Sequence, residues 1–182
     1  MKIFISGGCK NGKSSYAQQL AQDAARRFHA PLYYLATMQP HDEEDLARIA
    51  RHRRERAGMG FATVEQGTDL CQALERAEER GVFLLDSLTA LVANEMFSDD
   101  GSMDLQAGQR VAHDLQLFLH RVEHAVVVSD FLYADVGFYE GQTGDYLRAL
   151  AQCDRVAASL CDCVIEVSAA CIFCHKGALP CG

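Results

Sequence analysis

Gly7-Gly8-Cys9-Lys10-Asn11-Gly12-Lys13-Ser14 fits the spacing G-x-x-x-x-G-K-[ST], a loop that wraps backbone amides around phosphates. Glycines let the N–H groups close on the anion, and a helix starting at Lys13 and Ser14 adds its partial positive charge. In that arrangement Lys13 reaches the β- and γ-phosphates, and the Ser14 hydroxyl is a ligand for Mg²⁺. The context matches the mechanism. An apolar run, Ile3-Phe4-Ile5, precedes the loop, and a helical pattern (Tyr16, Ala17, Leu20, Ala21) follows at once. A nucleoside triphosphate, GTP or ATP, is the ligand this predicts.

Such a loop works with a carboxylate at the end of a neighbouring strand, which holds Mg²⁺ through water. Asp86, closing the apolar run Val82-Phe83-Leu84-Leu85, is the first candidate, and Asp130, after Ala125 to Val128, is the second. A cap for the helix that follows is the alternative role for Asp86, and the two can coexist. His52 stands among Arg51, Arg53, Arg54 and Arg56. A charge run of this kind is usually a solvated helix face. The alternative is that the arginines gather phosphates while a neutral imidazole attacks phosphorus to give a phosphoramidate.

The elements that must position these groups alternate between strand and helix. Strands are expected at 32–37, 61–65, 82–86, 125–130 and 164–167, besides the one before the loop. Helices are expected at 15–28, from the acidic group Asp42 to Asp45 through Arg56, at 69–80, 88–97, 106–123 and 144–160. Gly58 and Gly60 end the second of them, and Gly81 closes the third. Residues 131–143 read as loop or broken helix, and regular patterning stops at Ala169. This order predicts one α/β domain over 1–182, a single P-loop NTPase-like unit with a mostly parallel sheet and helices on both faces.

Bulk properties exclude other classes. The 182 residues suit a single core, and the net charge of −8 offers no general basic surface to nucleic acid. No apolar run approaches the length of a membrane span. The N-terminal stretch, interrupted by the glycine loop, lacks the layout of a signal peptide, so a cytoplasmic location is expected. Eight cysteines are then expected as thiols. Cys161-x-Cys163, Cys171-x-x-Cys174-His175 and Cys181 leave a structural zinc site or a disulfide open.

Taken together, the glycine loop, Tyr34-Leu35-Ala36-Thr37, Arg48-Ile49-x-x-His52-x-x-x-Arg56, Phe61-x-Thr63-x-Glu65 and Leu84-Leu85-Asp86-Ser87-Leu88-Thr89 carry a resemblance. The chain resembles the bifunctional adenosylcobinamide kinase/adenosylcobinamide-phosphate guanylyltransferase family of cobalamin biosynthesis, over the stretch from its N-terminus to Phe97. The resemblance implies two reactions. A nucleoside triphosphate phosphorylates adenosylcobinamide, and GTP guanylylates a histidine that passes GMP to adenosylcobinamide phosphate, giving adenosylcobinamide-GDP. By the same resemblance His52 is the guanylylated residue. Ala36, Thr37 and Met38 line the nucleotide site, Arg53 and Arg56 flank it, and Glu65 and Asp86 are its acidic positions, with Mg²⁺ at Ser14 and Asp86. Gly58 and Gly60 then let the His52 helix fold over the mouth of the site. A homotrimer is also implied. The second half departs from the family where Asn-Glu-Val-Gly is usual: here it reads Ser129-Asp130-Phe131-Leu132-Tyr133. The rival readings are a small-molecule kinase without guanylyl transfer, and a nucleotide-binding protein without catalysis.

Overall fold

The computed structural model describes residues 1–40, 42–98, 100–134 and 138–179, with Arg48 and Glu55 described by their backbone alone. Strands β1 (Lys2–Ser6), β2 (Leu32–Ala36), β3 (Ala62–Glu65), β4 (Val82–Asp86), β5 (His124–Val128), β6 (Cys163–Ser168) and β7 (Cys171–Lys176) form one seven-stranded sheet in the order β3-β2-β4-β5-β1-β6-β7. All neighbours run parallel except β6 and β7. The helices are α1 (Lys13–Phe28), α2 (Glu43–Glu55), α3 (Leu88–Met96), α4 (Ala107–Arg121) and α5 (Gly141–Leu160). Among the described residues no helix is long and apolar enough to cross a membrane.

The central strands β1, β4 and β5 are apolar on both faces because both are covered. Ile3, Ile5, Leu84, Val126 and Val128 pack with Ala17, Leu20 and Ala21 of α1 on one side. Phe4, Phe83, Leu85, Ala125 and Val127 pack with Leu91 of α3, Leu115 and Phe118 of α4, and Leu150 of α5 on the other. The rings of Phe83 and Phe118 meet edge to face at 5.5 Å between centroids, the arrangement their quadrupoles favour. Helices therefore lie on both faces of a mostly parallel sheet, as the alternation of elements predicts.

Two expectations need correction. The 69–80 stretch forms only a 3₁₀ turn at Leu70–Glu75. Its spacing of Leu70, Ala73 and Leu74 is genuine, since all three are buried, but Asp69 enters in the left-handed region without a capping side chain. Tyr33 then blocks the far end: its hydroxyl accepts from Glu78 N at 3.3 Å, and its ring would lie 2.5 Å from a Cβ at Gly81. Beyond Ala169 the chain does not dissolve. Ala169 and Ala170, at φ 47° and 62°, turn it back as an antiparallel hairpin. Left-handed turn positions normally announce themselves as Asn or Gly, and β7, exposed at every residue, has no alternation to read.

The described tail cysteines do not gather into one cluster. Cys161 is packed into the core on the α4/α5 side and Cys163 into the opposite one. Burial pushes the Cys161 thiol up to about 12, so it behaves as a small apolar side chain. Cys163 and Cys174 are free thiols 4.0 Å apart. No three described His, Cys, Asp or Glu side chains gather as a metal site, and Cys181 lies outside the described residues.

Candidate active site

The strand register collects the chemistry at one end of the sheet. Glu65 stands level with Ala36, Ala36 with Asp86, Asp86 with Val128, and Val128 with Ile5 at the mouth of the glycine loop. This is the C-terminal edge, and the connection from β1 to β2 passes over β5 and β4 there, opening the crevice that doubly wound sheets use for ligands. A cleft of about 820 Å³ occupies the position, walled by Cys9 to Ser15, Tyr34, Ala36, Met38, His52, Arg53, Arg56, Glu65, Asp86 and Asp130 among others.

The loop is shaped by its glycines at two points. A Cβ on Gly7 would lie 2.1 Å from Val167 O, so only glycine lets the loop lean on β6. Gly12, at φ 86°, precedes the first turn of α1, a conformation that costs other residues about 1 kcal/mol or more. Lys13, 5% exposed, gives its Nζ to Gly8 O at 2.6 Å and to Asp130 Oδ1 at 2.7 Å. Cys9, Lys10 and Asn11 form the outer lip of the cleft, and Asn11 Nδ2 reaches Val167 O at 3.5 Å.

Ser14 and Asp86, the pair read as metal ligands, are together. Ser14 Oγ donates to Asp86 Oδ1 at 3.3 Å, and the Tyr34 hydroxyl donates to Oδ2 at 2.9 Å. Two hard oxygens at that separation suit adjacent positions around Mg²⁺, directly or with water between. Burial raises the Asp86 pKa, opposed by hydrogen bonds from Tyr34 and Ser14 and by the charges of His52 and Arg56. A cation at this carboxylate would oppose the same desolvation.

Helix α2 carries the basic run. Asp42 caps it, accepting from Asp45 N at 2.8 Å, and acidic residues fill its first turn, as the helix dipole favours. His52 is half-buried and faces the cleft, and its charge lowers the Asp86 pKa. Arg56, just past the helix end and 7% exposed, lays its guanidinium 3.5 Å above the Tyr34 ring. Among the described residues its Nε and Nη1 have no hydrogen-bond partner. Buried donors of that kind are costly to leave unmet, so an anion from a ligand suits them. Arg53 pairs with Glu65 on the rim. Both also line an adjoining cavity of about 600 Å³ with Gly58, Gly60 and Phe61. Gly58 and Gly60 are both at φ 83°, and Gln22 of α1 ties the turn between them by donating to Met59 O at 2.7 Å.

Thr37 stands apart from the other members of its segment. Fully buried, its Oγ1 donates to Ser87 O and accepts from Ser87 N, both at 2.8 Å. It clamps the turn after Asp86, while its neighbours Ala36 and Met38 line the cleft. Asn94, which the sequence does not single out, bridges Thr37 O (2.7 Å) and Gly67 O (2.9 Å). It thereby joins the ends of β2 and β3. Tyr34 is likewise hidden in an apolar run, although its hydroxyl orients Asp86.

Behind the site lies Asp154 of α5, 2% exposed, with Oδ2 taking the Tyr133 hydroxyl at 3.0 Å. Burial, aided by the charge of Asp130, lifts its pKa from the ordinary 3.8 to about 6. The folded state holds this proton more tightly, so the contribution is fully favourable below pH 3.8 and is lost as pH rises through about 6. The whole effect is roughly 3 kcal/mol. Asp154→Asn is therefore expected to gain stability over the native chain between pH 4 and pH 8 in urea unfolding. A difference that stays constant with pH would refute the cause.

Comparison with known proteins agrees with this geometry. Residues 3–173 match the model of the cobinamide kinase / cobinamide phosphate guanyltransferase family. Over 105 residues the chain is 33% identical to the bifunctional adenosylcobalamin biosynthesis protein CobU of Escherichia coli (strain K12), covering 57% of this chain and 55% of that one. Over 101 residues it is 35% identical to the bifunctional protein CobP of Pseudomonas aeruginosa, covering 55% and 56%. The matches thus span about half the length of these relatives. Among solved structures, a KaiC-like protein from Pyrococcus horikoshii OT3 superposes with a TM-score of 0.53 at 10% identity, over 97% of this chain and 79% of that one, a likeness of fold alone. With a phosphate loop, an acidic strand end and a basic histidine helix around one cleft, and a match over 3–173, the chain belongs to the cobinamide kinase / cobinamide phosphate guanyltransferase family.

Proposed function

We propose that this chain catalyses both reactions of its family's name: phosphorylation of adenosylcobinamide by a nucleoside triphosphate, and transfer of GMP from GTP to adenosylcobinamide phosphate through His52. The observation that carries the reading is the placement of His52 in the same cleft as Lys13, Ser14 and Asp86. In the guanylyl step an imidazole nitrogen attacks the α-phosphorus, a P–N bond forms, and the bond to the pyrophosphate oxygen breaks. A phosphate oxygen of adenosylcobinamide phosphate then attacks the same phosphorus and the P–N bond breaks, returning His52 to its neutral form. Splitting the transfer in two lets each displacement use a good leaving group.

Lys13 holds the β- and γ-phosphates, and Arg53 and Arg56 meet charge that develops at the α-phosphate. Mg²⁺ held by Ser14 and Asp86 would offset the charge on the leaving phosphates. Glu65 positions Arg53, and Ala36 and Met38 pack against the nucleoside. The glycine-flanked turn after α2 lets the histidine approach. The chain works in the cytoplasm as a homotrimer.

The test is chemical. Protein incubated with Mg²⁺ and α-labelled GTP should acquire label that survives base and is lost in acid. Adding adenosylcobinamide phosphate should move that label into adenosylcobinamide-GDP. Nucleotide binding without protein label would refute the guanylyl half of the proposal.

A further inference from the structure

Asp130 lines the same cleft as the phosphate loop. Its strand, β5, lies between β1, which feeds the phosphate loop, and β4, which ends in Asp86. Val128 is level with both Ile5 and Asp86, so Asp130 projects two residues beyond them, over the gap where a terminal phosphate would lie. Its Oδ1 takes Lys13 Nζ at 2.7 Å. The amine that reaches the γ-phosphate thus also touches this carboxylate, which is 27% exposed and borders the cleft.

A carboxylate beside a triphosphate is repelled unless a donor stands between them. Lys13 supplies one donor, and Oδ2 accepts from no described residue. The chain holds the group firmly. Asp130 N donates to Thr89 Oγ1 at 2.7 Å, Thr89 Oγ1 lies 3.4 Å from Ser129 Oγ, and the Tyr146 hydroxyl donates to Thr89 O at 3.1 Å. Next to it, Phe131 is fixed by its N–H to Gly7 O at 2.9 Å, with its exposed ring edge-on to Tyr133.

We propose that Asp130 is the base for the kinase step, a proposal that rests on the kinase half of the reading above. The acceptor hydroxyl oxygen attacks the γ-phosphorus as the bond to the β,γ-bridging oxygen breaks. That electron pair leaves with the nucleoside diphosphate, and the hydroxyl proton passes to Asp130, then to solvent. Guanylyl transfer to His52 attacks with a neutral nitrogen at the α-phosphorus and does not use Asp130.

Asp130→Asn tests this, because an amide oxygen still accepts from Lys13 but cannot take a proton. With γ-labelled triphosphate and adenosylcobinamide, kcat should fall about a hundredfold or more. Nucleotide binding and the rate of protein labelling by α-labelled GTP share the Lys13 contact but not the proton transfer, so both should weaken far less than kcat. Asp130→Glu should recover part of the kcat. Unchanged kcat in Asp130→Asn overturns the assignment, as does a joint loss of Kd, labelling and kcat, which would mark Asp130 as a mere support for Lys13. A native chain that labels but never phosphorylates adenosylcobinamide overturns the kinase reading and this base together.

Discussion

Lys13→Ala is expected to lower kcat/KM by about a hundred- to a thousandfold, the scale on which a preorganised charge at a transition state acts. The side chain is 5% exposed and held by Gly8 O and Asp130, so its ammonium meets phosphate with little reorganisation. In a closed cleft that charge is worth about 2.7–4 kcal/mol at the barrier. On the proposed reading both reactions should suffer, because the same amine would contact the phosphates in each. Folding should survive: the partner left behind, Asp130, is partly exposed and can be hydrated. Steady-state kinetics of the two reactions, set beside a thermal melt, checks this. Kinetics like those of the native chain would remove the loop from the mechanism, and a collapsed melt would make Lys13 a structural residue instead.

His52→Ala should abolish covalent labelling by α-labelled GTP, since loss of the nucleophile removes the intermediate rather than slowing it. Phosphorylation of adenosylcobinamide should continue near the native rate, because that reaction passes through the γ-phosphorus. Stability should shift by no more than about 0.5 kcal/mol, as His52 is half-buried on a helix surface and alanine is the better helix former. Acid-labile label that persists in the variant would assign the chemistry to another nucleophile.

The parts legible in the sequence were those whose pattern is local. The glycine loop, with its strand and helix, occupies adjacent residues, and β4 reads as an apolar run ending in Asp86. What stayed hidden depends on chain segments far apart. Asp130 pairs with Lys13 across 117 positions, and Thr37 closes on Ser87 across 50. Neither contact has a spacing to detect. Thr37 reads as part of a segment lining the cleft, yet its hydroxyl is consumed by the turn behind Asp86. The hairpin of β6 and β7 is hidden for a different reason: its turn uses alanines, and its outer strand is exposed at every residue, so it carries no apolar alternation.

One feature of α2 bears on how two chemistries share a cleft. None of its described side chains is buried, and even Leu46 is 56% exposed. The first strongly buried group is Arg56, beyond the helix end, under which Tyr34 lies flat. The helix therefore resembles a lever whose fulcrum is a stacked guanidinium and whose arm has no core to leave. Swinging such an arm takes no described buried apolar side chain of the helix out of a core, so its cost falls on polar contacts. On the proposed reading, the bound nucleotide would then decide which phosphorus the imidazole faces, at little expense to the stability of the sheet beneath.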